Sequence, residues 1–310
     1  MRLPCRHYTQ IELAPCYSAL VKADAKVKSI SFVGAGALGS GLARLLHAHG
    51  YAIAELVARR SATAKHRAAA VAREVMAEVV TIERARLECD VLWLAVPDEA
   101  VEDVARTLAR RERLPRIVLH ASGALSSRSL DALAERGVKT GSAHPMMTFV
   151  AGEAPSLKGA WFAVEGSAEA VRAARAMAAK LGANSFTIEP ESKTLYHAFG
   201  AMLSPMLAAE LEAAERLGLR AGISRKDVRR IMLPIVGRTV TNVLHNGAAL
   251  SFSGPLARGD VGTVAAHLKV LAASGEAQVY RSLMEYAVGA LPVKRKDEME
   301  KLLRKKKPGR

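Results

Sequence analysis

Residues 30–39 read Ile-Ser-Phe-Val-Gly-Ala-Gly-Ala-Leu-Gly. A short apolar run, such as a buried strand carries, breaks into Gly34-x-Gly36-x-x-Gly39 and passes into a helical pattern over 37–49 that stops at Gly50. A backbone that turns sharply from strand to helix while a pyrophosphate approaches its amides cannot carry Cβ atoms at those points. The phosphate then rests on the positive end of the helix. The flanking strand and helix are what raise three glycines above an ordinary tight turn. Gly34, Gly36 and Gly39, with Ala37 and Leu38 at the helix start, are therefore candidate dinucleotide-binding residues.

Working outward, apolar runs that read as strands recur at 52–58, 91–96, 116–121, 138–143, 160–165 and 184–188, separated by helical or turn-rich sequence. That alternation implies an α/β fold with a doubly wound, mostly parallel sheet. Asp98 and Ser127 stand where they could cap helices, and a further helix is expected over 168–181. After Pro190 the strand-like runs give way to an all-helical C-terminal domain. Its first helix is expected over 191–217 with a kink at Pro205, its second from Ser224 past Pro234, and others over 260–273 and 276–288. The reading divides the chain into an N-terminal extension (1–28), a dinucleotide-binding domain (29–190), a helical substrate and dimerisation domain (191–292) and a basic tail (293–310).

Composition limits the function classes. The chain has 310 residues, half of them hydrophobic, and no apolar run near the ~20 residues a membrane span needs. Residues 1–28 lack the apolar stretch and cleavage site of a signal peptide. Cys5, Cys16 and Cys89 are far apart, which argues against a disulfide framework and for a cytoplasmic protein. The formal net charge is +15, of which residues 294–310, with nine Lys or Arg and three acids, contribute six. The remainder is spread through the body and suits an anionic cofactor or a small anionic substrate. Aromatic content of 5% and the lack of a helix-turn-helix or zinc pattern argue against specific nucleic-acid binding.

About twenty residues past the glycines, an NAD site places an acid at the end of its second strand. Here that place reads Arg59-Arg60-Ser61, two guanidiniums and a hydroxyl suited to a 2′-phosphate, so NADP is the expected cofactor. Glu55 lies inside the strand, too early to take the ribose. Ligands in such folds bind beyond the carboxyl ends of the strands. Val96 and Pro97 follow one strand, His120-Ala-Ser122-Gly123 the next, and His144-Pro145 the one after. Ser122 and Gly123 could hold a substrate carboxylate or carbonyl. Lys193, Tyr196 and His197 share one side of a helix, where an ammonium could stabilise and protonate the oxygen left by hydride transfer. Farther on, Arg258 and Asp260 sit in a glycine-rich loop, with Asp260 as an expected helix cap. The spacing of His120, His144, His197 and His267, without acidic partners beside them, matches no compact metal motif.

Taken together, Gly34-x-Gly36-x-x-Gly39, His120-Ala-Ser-Gly, His144-Pro-Met-Met-Thr-Phe, Lys193-x-x-Tyr196-His197 and Gly254-Pro-Leu-Ala-Arg-Gly-Asp260 resemble one bacterial family. Its members are Rossmann-like proteins with a C-terminal domain of unknown function, assigned as NADP oxidoreductases. The wider superfamily holds the β-hydroxyacid dehydrogenases, 6-phosphogluconate dehydrogenase, ketopantoate reductase and pyrroline-5-carboxylate reductase. The resemblance implies that Lys193 matches a catalytic lysine, with His197 where an asparagine commonly stands, and that Ser122-Gly123 matches a substrate-binding loop. Pro205 follows Ser204 where the family commonly has Asn. The implied activity is hydride transfer between NADP(H) and a small keto or hydroxy acid, with Lys193 as proton donor, His144 and Tyr196 lining the substrate site and Arg258 as an anion contact. An imine substrate and a non-catalytic NADP-binding sensor or scaffold are the alternatives, and a homodimer is implied by resemblance.

Overall fold

The structure, a computed structural model, describes residues 27–304. The extension expected over 1–28, except its last two residues, and the final six residues of the tail lie outside the described residues. The chain divides into two compact units, residues 1–198 and 199–310.

The first unit is built on one eight-stranded sheet: β1 (Ser29–Val33), β2 (Ala52–Val57), β3 (Glu78–Val80), β4 (Val91–Leu94), β5 (Ile117–His120), β6 (Lys139–Pro145), β7 (Trp161–Gly166) and β8 (Asn184–Thr187). The spatial order is β3-β2-β1-β4-β5-β6-β7-β8. Every pairing is parallel except β6 with β7. The doubly wound sheet expected from the sequence is present, and the three-residue β3 is an addition, too short for its periodicity to register.

Strand side chains alternate between two cores. Ile30 and Phe32 of β1, Val91 and Trp93 of β4 and Ile117 and Leu119 of β5 face one layer, made by α1 (Ala37–Ala48), α2 (Ala62–Val75) and α5 (Ala168–Lys180). Phe32 and Trp93 stack there with centroids 6.1 Å apart. Val33, Leu92, Leu94 and Val118 face the other layer, made by α3 (Asp98–Ala109) and the short α4 (Asp131–Ala134). Burial on both faces is why these strands read as continuous apolar runs.

Two expected caps take other roles. Asp98 is the first residue of α3 rather than its cap, which is Pro97, and its carboxylate supplements the helix dipole. Ser127 begins a 3₁₀ turn and turns its backbone N–H and hydroxyl, each at 2.7 Å, to the buried Glu165 carboxylate.

The long helix expected over 191–217 is divided. A 3₁₀ turn at Pro190–Ser192 leads into α6 (Lys193–Ala201), a π turn follows at Met202–Met206, and α7 (Leu207–Arg220) continues. Pro205 inside the π turn is the cause, because it has no N–H to give and its ring crowds the preceding turn. The unit boundary falls inside α6, not at residue 190. Residues 191–198 group with the sheet because Lys193 bonds to the loop after β5 and to the interior of β6, and Tyr196 packs on His144 and Phe186.

In the second unit α8 (Arg225–Asn246) starts at Ser224, whose hydroxyl caps it through the Asp227 N–H, and runs through Pro234. It is followed by α9 (Ala248–Ser251), α10 (Pro255–Arg258), α11 (Val261–Leu271), α12 (Glu276–Ala290) and α13 (Lys296–Arg304). Residues 296–304, within the expected basic tail, form α13 because Met299 and Leu303 are buried against Val264, Met284 and Val288.

Candidate active site

The glycine turn has the geometry its spacing implies. Gly34 adopts φ +101, and a Cβ there would stand 2.3 Å from the Ala95 carbonyl oxygen. A Cβ on Gly39 would stand 2.2 Å from the Gly34 carbonyl oxygen. Gly36, at the N-cap of α1, faces open space, with nothing within 4 Å of a Cβ. Two glycines thus close the turn, while the third leaves room for a phosphate in front of the α1 amides. Ala37 and Leu38 supply first-turn amides, Leu38 packing its side chain on the core. Val96 borders the same turn, its Cγ1 3.2 Å from a Gly34 Cβ, and Pro97 precedes α3.

At the end of β2 the arginines are present, with different commitments. Arg60 lies 3.3 Å from Glu83 and is largely exposed. The Ser61 hydroxyl caps α2, accepting the Ala64 N–H at 3.3 Å. Arg59 is exposed and in no ion pair among the described residues. A groove of about 730 Å³ opens beside them, lined by Arg60, Lys65, Thr81 and Arg84 among others. The acid among its lining residues is Glu78, paired with Arg86. Lys65 and Arg84 are the cations there that the sequence reading missed. Lys65 lies one helical turn past Ser61, which periodicity could have found; Arg84 follows β3, which left no signal. Glu55 is buried, its two carboxylate oxygens accepting the Arg86 and Leu87 N–H groups at 2.9 Å each, so it is committed to the fold.

At the carboxyl ends of β5 and β6, on the same edge of the sheet as the glycine turn, lies a polar cluster. Lys193 is 0% exposed; its ammonium donates to the Ser122 carbonyl at 2.9 Å and the Ser142 hydroxyl at 2.6 Å. Burial lowers its pKa to about 8, against the opposing pull of the Glu165 and Asp98 carboxylates. Ser142, inside β6, was missed because a serine in a strand leaves no motif.

Ser122 serves its own loop. Its hydroxyl accepts the Ala124 and Leu125 N–H groups at 3.1 and 2.9 Å, and its N–H donates to His120 Nδ1 at 3.2 Å. His120 Nε2 then carries the proton and donates to the Ser126 carbonyl at 3.1 Å. Burial, helped by the Lys193 ammonium, brings the His120 pKa to about 4, so this ring is neutral at physiological pH.

His144 is half-buried, its Nδ1 3.0 Å from the Tyr196 hydroxyl and its ring edge-on to both Tyr196 and His197, at 5.5 and 6.1 Å. Burial, with Lys193 and His197 nearby, lowers its pKa to about 4; burial raises that of Tyr196 to about 12. Gly123 is where these rings close in: a Cβ would stand 2.7 Å from His197 Cδ2 and 2.9 Å from His144 Nε2.

Lys193, Tyr196, His197, Ser122, Gly123 and His144 therefore converge. Arg258 and Asp260 belong to the second unit, where they pair with each other at 2.9 Å. Asp260 occupies the N-cap of α11 but makes no side-chain cap, because its carboxylate goes to Arg258. Among the described residues no group of three or more His, Cys, Asp or Glu is placed to hold a metal ion.

Comparisons with known proteins bear on this arrangement. A family model described as a Rossmann-like domain matches residues 15–145, and one described as a domain of unknown function, DUF2520, matches residues 160–287. No curated protein sequence matches the chain. Among solved structures it is similar to a Bacteroides fragilis protein assigned as an NADP oxidoreductase, with 21% identity over 84% of this chain and 97% of that one and a TM-score of 0.72. A Thermotoga maritima protein has 22% identity over 83% and 96%, with a TM-score of 0.62. The Myxococcus stipitatus imine reductase, solved with NADP+, has 17% identity over 89% and 99%, with a TM-score of 0.60. At these identities the likeness is one of fold. Along the chain, a Rossmann-like domain is thus followed by a DUF2520 domain.

Proposed function

We propose that the protein is an NADP(H)-dependent oxidoreductase acting on a small carboxylated carbonyl compound, a keto or hydroxy acid. The observation that carries this reading is the pairing, on one edge of one sheet, of an open phosphate cradle at Gly36 with the Lys193, His144, Tyr196 and His197 cluster. The fold shared with NADP-linked reductases supports it.

When bound, the nicotinamide supplies or accepts the hydride. Gly34, Gly36, Gly39 and the first α1 amides hold the pyrophosphate, and Val96 and Pro97 flank the same turn. Arg59, Arg60, Lys65 and Arg84 surround the end of β2 and favour a 2′-phosphate, with the Ser61 hydroxyl as a further donor. The Lys193 ammonium fixes the Ser122-Gly123 loop against β6 and brings positive charge to a site where a carbonyl oxygen becomes negative.

A second reading, favoured by the imine reductase fold, is reduction of a cyclic imine acid. The third, a sensor or scaffold, predicts saturable NADPH binding without turnover. The exposed apolar side chains of α8, including Ile231, Leu233, Ile235 and Leu244, support a homodimer. No helix among the described residues is long and apolar enough to cross a membrane, and the reading places the protein in the cytoplasm.

Incubating the protein with NADPH or NADH and separate panels of keto acids and cyclic imines, while following reduced-nicotinamide absorbance, tests the reading. Oxidation of NADPH with a keto acid supports it, and oxidation with an imine alone selects the second reading. Tight NADPH binding with no oxidation selects the third.

A further inference from the structure

We propose that the proton delivered to the reduced substrate comes from the Tyr196 hydroxyl, held by His144 in its Nδ1–H form, and that Lys193 is a positioning residue. This rests on the oxidoreductase reading above.

Three contacts carry the assignment. Two of the three Lys193 N–H bonds are taken, by the Ser122 carbonyl at 2.9 Å and the Ser142 hydroxyl at 2.6 Å, and the residue is 0% exposed. Lysine is the stronger acid here, but its bonds tie the loop after β5 to the interior of β6. Tyr196, one turn along α6 and half-buried, places its hydroxyl 3.0 Å from His144 Nδ1. His144 is itself confined on three sides, by Tyr196, by His197 and by the Gly123 backbone, so its ring cannot swing away from the hydroxyl.

The tautomer decides what the pair can do. If Nδ1 is bare, the tyrosine spends its only proton on the imidazole and has none to give. If Nδ1 carries the hydrogen, it donates to the phenol oxygen, and the tyrosine proton points outward. That form leaves Nε2 bare and facing the Gly123 backbone, and it stabilises the phenolate by a hydrogen bond. His120, whose Nδ1 accepts the Ser122 N–H, is held in the opposite tautomer, so the site contains both forms.

The proton step balances simply. After the substrate C=O has received a hydride, its oxygen carries the displaced electron pair as an alkoxide. The Tyr196 O–H bond breaks, the proton forms the product O–H, and the electron pair stays on the phenolate. Water then returns a proton to the phenolate, releasing hydroxide to solvent. With an imine substrate the acceptor is the amine nitrogen, and the tyrosine's part is the same.

The experiment combines a spectrum with kinetics on the full-length protein. Imidazole ¹⁵N shifts, with His144→Asn used to assign the resonance, are expected to show His144 protonated at Nδ1; protonation at Nε2 overturns the proposal. Tyr196→Phe is expected to lower kcat on the order of 10²–10⁴-fold with little change in KM. His144→Leu should lower kcat similarly, while His144→Asn, which keeps a donor near Nδ1, recovers part of it. Lys193→Met should raise KM more than it lowers kcat. NADPH affinity is measured for every variant to show that the fold and cofactor site survive. Wild-type kcat in Tyr196→Phe overturns the proton assignment alone. No wild-type turnover on any substrate overturns the functional reading and the assignment with it.

Discussion

Replacing Gly123 by alanine perturbs the site through one contact. Gly123 is not among the positive-φ glycines, so its backbone accepts alanine, and the added methyl is the whole change. That methyl would stand 2.7 Å from His197 Cδ2, 2.9 Å from His144 Nε2 and 3.1 Å from His144 Cδ2. Ordinary contact begins at 3.4 Å, so by the difference from 2.7 Å the nearest ring must retreat by about 0.7 Å. The loop cannot yield instead, because the Ser122 carbonyl is held by Lys193 and the Ser122 N–H by His120. Overpacking of this kind costs about 1–3 kcal/mol, a fall in Tm of several degrees in a chain of this size. The His144 ring, at 2.9 Å, must retreat by about 0.5 Å and so loosens its bond to Tyr196; since a misplacement of ~1 Å costs ~10²-fold in rate, a loss of about tenfold is expected. Thermal unfolding, NADPH binding and steady-state turnover are measured on the same preparation. A lower Tm and kcat with unchanged NADPH affinity is expected. Wild-type Tm and kcat would refute the reasoning, since the rings would then not be confined as described.

Three further outcomes follow from other parts of the molecule. The Lys193 pKa is lowered from 10.5 to about 8 in the fold, so between those values the unfolded chain binds more protons and stability rises with pH. Relative to Lys193→Met, the wild type should gain up to about 3 kcal/mol across that window in denaturant unfolding, and parallel curves would contradict the burial argument. Replacing Lys65 and Arg84 together by alanine should weaken NADPH about 10–100-fold in a fluorescence titration while leaving NADH unchanged, with Arg60→Ala weaker because Glu83 already holds that guanidinium; equal loss for both cofactors would place the groove elsewhere in recognition. Leu244→Asp on the exposed face of α8 should convert a dimer to a monomer in sedimentation analysis, and an unchanged sedimentation coefficient would put the interface on another surface.

The sheet was legible because its strands are buried on both sides and its glycines sit where backbone meets backbone. Gly34 and Gly39 are forced because a Cβ at either would come within 2.5 Å of a neighbouring carbonyl oxygen, and such constraints leave a spacing in the sequence. β3 was not legible, since three residues do not establish a period. The Lys193, Tyr196 and His197 face of α6 could be read from helical spacing and Gly123 from its place after a strand, whereas His144, expected just past a strand, lies inside β6, which runs on to Pro145 through its pairing with β7. The partners of Lys193 could not: one is a backbone carbonyl, and Ser142 is a small residue inside a strand. Side-chain roles were also hidden where two uses compete. The Ser61 hydroxyl suits a phosphate and caps a helix, and Asp260 could cap a helix or pair with Arg258. Only three-dimensional distance decides between such uses. In residues 296–304 the run of charges hid the docking, because two apolar residues among them suffice to seat a helix.

The antiparallel pairing of β6 with β7 has a consequence for how such a protein can be cut and recombined. The two family segments meet between residues 145 and 160, which is the gap between these strands. A shuffling event or expression fragment ending there would separate partners paired from Gly141↔Gly166 to Pro145↔Phe162. The first piece would carry a bare strand edge ready to recruit another chain, and the second would carry two strands and an alanine-lined helix with no sheet to cover. The boundary visible to sequence comparison is thus not a seam along which the molecule comes apart. The compact unit that contains the sheet extends past it to residue 198.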